Sequence, residues 1–189
     1  MKGSVLQPEH HREGSFRCLL HAEAAVIAFV LVAGMSGPGR ADAPADPAAV
    51  KSEGGEYRDA KGDPTFKIAP DGTVDYYTFQ GYIRYTANCM QCHGPGGQGS
   101  SFGPALANSL KTLDYDQFAG IVANGKKNVN AAQELVMPAF GANRNVMCFI
   151  EPIYVYLRAR SVGAIGPTRP QKNDPKPAEF AKQEDACMQ

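Results

Sequence analysis

The chain has no excess of either charge. Its 19 basic and 19 acidic residues cancel over 189 positions. That argues against a nucleic-acid backbone or an anionic membrane as its partner. It has no long hydrophobic run. The uncharged stretch from Ala24 to Met35 is too short to span a bilayer comfortably. It has no visible internal repeat, which excludes a solenoid. Histidine is scarce: there are four, and His10, His11 and His21 crowd the first 21 positions. Beyond them only His93 is left, so a site built on two histidines is excluded there.

What is present in excess is glycine and proline, 20 and 14 respectively. Both interrupt regular structure, and together they point to a loop-rich molecule rather than a long-helix bundle. The first forty residues read as a secretory leader. Arg12 and Arg17 precede the apolar run, Gly34, Gly37 and Pro38 break it, and Ala41-Asp42-Ala43 follows as a small-x-small cleavage site. An uncleaved anchor is the alternative. Cleavage after Ala43 removes four acids and four bases, so the remaining chain stays neutral.

Cysteine usage becomes informative once Cys18 is set aside with the leader. Cys89, Cys92, Cys148 and Cys187 remain. Cys89-Met90-Gln91-Cys92-His93 is the C-x-x-C-H signal for covalent haem attachment. The two thiols can each add to a haem vinyl group, and the adjacent histidine is then ready to bind iron. A redox dithiol would need a βαβ context, and none is visible. A zinc site would need a second compact ligand pair, whereas Cys148 and Cys187 lie far apart in sequence. If haem takes the first pair, export leaves the second in an oxidising compartment, where a disulfide persists. We therefore expect Cys148–Cys187, closing a loop of about 40 residues worth roughly 4 kcal/mol in the chain-entropy model. Two free thiols are the alternative.

The sixth iron ligand decides what such a haem does. Methionine there makes an electron carrier, and an open position makes a gas-binding protein or a catalyst. Four methionines follow the leader. Met90 lies inside the attachment motif, Met188 in the tail, and Met147 on an expected helix, where core packing is the default. Met137 precedes Pro138, which biases it to an extended conformation. It is the candidate distal ligand, with Met147 as competitor. No other acid–base group suited to haem catalysis is evident, so the reading is an electron-transfer protein rather than an enzyme.

Residues 44–75 read as a polar, irregular extension with turn signals at Asp46-Pro47, Asp63-Pro64 and Pro70-Asp71-Gly72. A first helix is expected over 76–92, with Gly81, Tyr85, Cys89 and Cys92 on one face. Gly81 costs helix stability, about 1 kcal/mol relative to Ala. Close approach of another helix would explain it. Residues 94–104 are too rich in Gly and Pro for regular structure. A short helix is expected over 114–124, capped by Asp114 and Gln117 and ended by Gly125. A last helix is expected over 143–161, kinked or restarted at Pro152. Residues 162–189 read as a surface tail pinned by Cys187.

With these features assembled, residues 76–161 resemble the class I cytochromes c. Gly81 and Tyr85 resemble that family's N-terminal helix, and Tyr156 its aromatic counterpart in the final helix. Gly103-Pro104 and Met137-Pro138-Ala139-Phe140-Gly141 resemble the proximal-loop proline and the distal-ligand loop. The resemblance implies an all-α, single-domain fold with irregular extensions. It implies one covalent haem c on Cys89 and Cys92, with His93 and Met137 as iron ligands and the Pro104 carbonyl bonded to His93. It also implies helix contact at Gly81, Tyr85 and Tyr156.

The segments Asp71–Phe79 and Gly99–Leu106, with Arg144–Cys148 and Cys187, further resemble the four-cysteine cytochromes associated with methanol metabolism, including the cytochrome cL type. That narrower resemblance implies a periplasmic monomer fed by a PQQ-dependent methanol or alcohol dehydrogenase. The acceptor would be another cytochrome or an oxidase. A carrier serving a reductase or peroxidase is the other circuit open to it. Some relatives of this type bind calcium, but no compact acidic ligand set is apparent.

Overall fold

The computed structural model describes residues 47–129 and 134–189. The expected leader and its cleavage point at Ala43 lie outside the described residues. Three short antiparallel strands come first: β1 (Lys51–Glu53), β2 (Glu56–Arg58) and β3 (Pro64–Thr65), in the order β1-β2-β3. Here the segment expected to lack regular structure carries some. The reason is Gly54-Gly55, both at positive φ, which close a two-residue hairpin with Glu53 opposite Glu56. Strands of two or three residues are too short to show alternation in sequence.

The remainder is helical. α1 (Tyr76–Asn88) starts at Asp75, whose buried carboxylate accepts from the Thr78 amide at 2.8 Å and the Lys67 amide at 2.8 Å. α2 (Met90–His93) follows after one non-helical residue, and a 3₁₀ turn occupies Pro95–Gly97. The expected 76–92 helix is thus two helices joined at Cys89. α3 (Leu106–Ser109) is one turn. α4 (Tyr115–Asn124) has the capping box expected of it: the Gln117 amide donates to Asp114 at 2.8 Å, and the Asp114 amide to the Gln117 side chain at 3.3 Å. Gly125 ends it at φ +73°.

A hairpin of β4 (Lys126–Val129) and β5 (Glu134–Met137) comes next, with Lys126 opposite Met137. The last expected helix is again divided, into α5 (Arg144–Met147) and α6 (Ile150–Ser161). Pro152 falls in the first turn of α6, where a missing N–H costs no intrahelical bond. The tail is more ordered than a drape: α7 (Ala178–Met188) is helical over eleven residues.

α1 and α6 make the main helix–helix contact. Gly81 is where they meet. A Cβ there would overlap the Pro152 carbonyl and stand 2.7 Å from Tyr156 Cβ. Around the crossing lies one core of Tyr85, Leu110, Phe118, Val122, Val146, Tyr154, Tyr156 and Leu157. A second, smaller cluster joins Tyr77, Phe149, Val155 and Phe180. Phe180 of α7 packs edge-on to Tyr76 and Tyr77 at 5.0 and 4.9 Å. Cys187 of the same helix is bonded to Cys148, with Cα atoms 5.7 Å apart.

The strands are fastened to α6 by charge. Arg158 Nη2 meets Asp59 Oδ2 at 2.6 Å, with side-chain exposures of 3% and 0%. Arg158 Nη1 also donates to the Pro64 carbonyl at 2.9 Å. The other Asp59 oxygen accepts from the Lys61 and Asp63 amides at 2.8 and 3.0 Å. This pair is fully enclosed and fully hydrogen-bonded, the condition under which a buried ion pair holds register. No helix among the described residues is long and apolar enough to cross a membrane.

Two substitutions probe this architecture. Gly81→Val should destabilise the protein by about 3 kcal/mol or more, because it meets backbone rather than a yielding side chain; a denaturant midpoint measures it. Asp59→Ala should cost about 3–5 kcal/mol by leaving Arg158 enclosed without its carboxylate. Reduction of Cys148–Cys187 should cost roughly 4 kcal/mol. Mass spectrometry without reductant should find no alkylatable thiol at either position.

Candidate functional site

The attachment motif occupies a single helical turn. The His93 amide donates to the Cys89 carbonyl at 3.0 Å, and the Cys89 amide to the Tyr85 carbonyl at 2.8 Å. α1 therefore runs almost directly into the motif and sets its orientation. Cys89 is half-buried against the main core, whereas Cys92 is exposed. Burial pushes the Cys89 thiol up to about 12, with the neighbouring Cys92 adding in the same direction.

His93 is 7% exposed. Its Nδ1 lies 2.9 Å from the Pro104 carbonyl oxygen. A carbonyl only accepts, so Nδ1 carries the proton and the Nε2 lone pair is left for a metal. Gly103 makes the contact possible: a Cβ there would stand 2.9 Å from Nδ1 and 3.0 Å from the Cys92 carbonyl oxygen. The donor set fits a covalent haem. It offers two thiols one turn apart and, beside them, an imidazole held in the metal-binding tautomer.

The glycine-rich segment after His93 is held through several backbone carbonyls, its own and those of Cys92 and His93. Tyr85 donates its hydroxyl to Gly94 O at 2.5 Å. Ser100 Oγ donates to Cys92 O at 2.5 Å and accepts from the Phe102 amide at 3.0 Å. Arg160 Nε donates to Gly96 O at 3.0 Å. The Gly99 amide closes the loop on His93 O at 2.7 Å. Gly94 sits at φ +72°, where a Cβ would collide with the Gly99 carbonyl.

Met137 arrives from the other side of the sequence. It ends β5, so the extended conformation expected from Pro138 is provided by a strand rather than an open loop. The turn after it is tied to the end of α4. The Phe140 amide donates to Val122 O and the Gly141 amide to Ala123 O, both at 3.0 Å. Met137 is partly buried against the same core cluster as Cys89. The competitor Met147 also packs there, but it sits on α5 beside the disulfide. Tyr85 and Tyr156 pack ring against ring at 5.5 Å.

Two anchoring residues, Ser100 and Arg160, had no signal as functional positions in the sequence, and Tyr85, expected as a helix contact, had none as a hydrogen-bond donor to the loop. Ser100 reads as loop, Arg160 as a helix-end cation, and the Tyr85 hydroxyl as a core tyrosine. Only the position of Tyr85, four residues before Cys89, hinted at its role. Among the described residues, no further group of His, Cys, Asp and Glu is placed to hold a metal ion.

A family model described as cytochrome c oxidase, cbb3-type, subunit III matches residues 79–148. Cytochrome c-553I of Paracoccus denitrificans is 52% identical over 136 residues, 72% of this chain and 60% of that protein. The chain thus spans less than two thirds of that relative. Cytochrome c-555 of Methylococcus capsulatus is 39% identical over 93 residues, 49% of this chain and 69% of that protein. The crystal structure of the c-type cytochrome XoxG from Methylobacterium extorquens AM1 superposes with a TM-score of 0.68 at 50% identity. It covers 74% of this chain and 85% of the other. With the motif, the fold and these relatives in agreement, the chain belongs to the c-type cytochromes, electron-transfer proteins with covalently bound haem c.

Proposed function

We propose that this protein is an exported monohaem carrier that moves single electrons in the periplasm between a PQQ-dependent methanol or alcohol dehydrogenase and a further cytochrome or oxidase. Cys89 and Cys92 form the thioether links, His93 is the proximal iron ligand and Met137 the distal one. Residues 76–161 form the cytochrome domain, with 44–75 and 162–189 as its extensions. The observation that carries this reading is the bond from His93 Nδ1 to Pro104 O at 2.9 Å. It presets the ring for iron within the attachment motif. The dehydrogenase assignment rests on the flanking segments that resemble methanol-metabolism cytochromes.

The haem supplies the one-electron couple. Everything else is done by the chain. Pro104 holds the His93 proton at Nδ1 and fixes the ring plane, so the ligand need not reorient as charge changes. Met137 offers a thioether, which favours the reduced state relative to a nitrogen or oxygen ligand. Tyr85, Tyr156 and Leu157 keep water from the interior and lower the local dielectric. A rigid, dry ligand set keeps reorganisation small, which suits repeated transfer in both directions.

On this reading the partner contact draws on residues 94–99 and the Met137 turn. Redox encounters are small and short-lived. The net charge of zero predicts a weak dependence on ionic strength. Lys126 and Lys127 are exposed on β4 and read as solvated. The protein acts as a monomer on this reading.

Two measurements test it. Met137→Ala should abolish the weak near-infrared methionine–iron band and lower the potential by on the order of 0.1 V, within the range that axial ligands command. An unchanged band would remove Met137 from the site. Purified PQQ-dependent methanol dehydrogenase with methanol should reduce the ferric protein in stopped flow at rates that change little with salt. Failure to reduce it while a nitrogen-oxide reductase or peroxidase reoxidises it would move the protein to another circuit.

A further inference from the structure

Arg58, Arg84 and Arg158 each face a carboxylate: Arg58 meets Glu56 and Glu151, Arg84 meets Glu184, and Arg158 meets Asp59. Arg160 does not. It donates instead to two backbone carbonyls, Gly96 O from Nε at 3.0 Å and Ile165 O from Nη1 at 2.6 Å, and stands beside the Tyr156 phenol. Both bonds are partly buried. Carbonyls satisfy the donors but leave the charge whole.

The position of that charge is specific. Gly96 is three residues beyond His93, on the segment that closes back on the His93 carbonyl through Gly99. A Cβ at Gly96 would stand 3.1 Å from Arg160 Nε and would press on Pro167. The chain thus wraps its own continuation, residues 163–167, around the attachment loop, with the guanidinium as the pin. The charge also reaches the core. Burial pushes the Tyr156 phenol up to about 12, and Arg160 pulls against it. Arg160 acts on Tyr85 in the same sense. Tyr85 in turn donates to Gly94 O, the carbonyl next to His93.

We propose that Arg160 is a positioning residue for electron transfer, pinning the attachment loop through Gly96 O and holding the iron's reduction potential up by its uncompensated charge. The inference rests on His93 being the iron ligand. Ferric haem carries one more positive charge than ferrous haem. A fixed cation held against the loop that follows His93 therefore raises the energy of the oxidised form more than that of the reduced form. Partial burial keeps salt from screening the effect away.

The test is a redox titration of the holoprotein and of two variants, read by the haem absorbance and paired with backbone hydrogen exchange over residues 95–99. Arg160→Gln keeps a hydrogen-bonding side chain and removes the charge. It should raise the ferric-to-ferrous ratio at a fixed ambient potential by about three- to tenfold, where tenfold is 59 mV for a one-electron couple. The shift should persist at high salt. Arg160→Lys keeps the charge and loses the fork, so its ratio should stay within about twofold of wild type. Exchange over 95–99 should quicken in both variants. A Gln variant with wild-type potential, or a Lys variant that falls as far as Gln, overturns the proposal. If the Gln variant does not fold, the Lys variant decides alone: a ferric-to-ferrous ratio within about twofold of wild type supports the proposal, and a larger rise overturns it. A wild-type product without covalent haem overturns the ligand assignment, and this proposal with it.

Discussion

The crossing of α1 and α6 at Gly81 is the contact on which the site depends. With no side chain at that position, the Pro152 carbonyl and Tyr156 Cβ come up against the backbone of α1. That approach puts Tyr85, one turn further along α1, beside Tyr156 of α6. From there the Tyr85 hydroxyl reaches Gly94 O. α1 leads straight into the attachment motif, so its distance from α6 sets where Cys89 and His93 stand. A wider crossing would move the motif away from the helix that carries Arg160. One missing methyl group thus positions the turn from Cys89 to His93.

The two extensions complete what a small helical core leaves open. The strand segment is held by a charge pair closed off from water on both sides. α7 is held by a disulfide and by one phenylalanine inserted among aromatic rings. These are different solutions to one problem. Both segments bury few apolar side chains with which to offset the entropy of ordering: Phe180 is the buried residue of α7, and β1 and β2 have none. The ion pair adds little net stability against an apolar substitute, but it tolerates only one register because all its oxygens and nitrogens must be met at once. The disulfide acts chiefly on the unfolded chain by shortening the loops available to it. α6 receives the strands through Arg158 and Glu151, and the attachment loop through Arg160, so the same helix couples the site to an extension.

How much of this was legible in sequence varied with the range of the interaction. The attachment motif, the α4 capping box and the restart near Pro152 are local patterns, and their chemistry lies within a few residues. Gly81 was legible because a glycine on the apolar face of a helix has a cost that close packing explains. The β1–β2 hairpin was missed although Gly54-Gly55 signals it, since strands of three residues show no periodicity. α7 was read as tail because its anchors, Tyr76, Tyr77 and Cys148, lie far away in sequence. Arg160 looked like any cation at a helix C-terminus. Its role depends on a carbonyl 64 residues away, and no local rule reports such a pairing.

The loop after His93 illustrates how a flexible sequence becomes a rigid structure. Gly-Pro-Gly-Gly-Gln-Gly has high conformational entropy and few side chains with which to hold itself. It gains rigidity from outside: Tyr85 takes one carbonyl, Arg160 another, and Ser100 reaches back to a third. Glycine is needed because positive φ and close approach let those carbonyls turn outward toward their donors. The donors come from α1, α6 and the loop's own far end, so the loop is ordered only when the fold around it is complete. Rigidity at His93 is therefore a property of the whole domain, as the proposed electron transfer with low reorganisation requires. Any change that loosens α6 should reach His93 through these carbonyls before it reaches Cys89, which α1 holds.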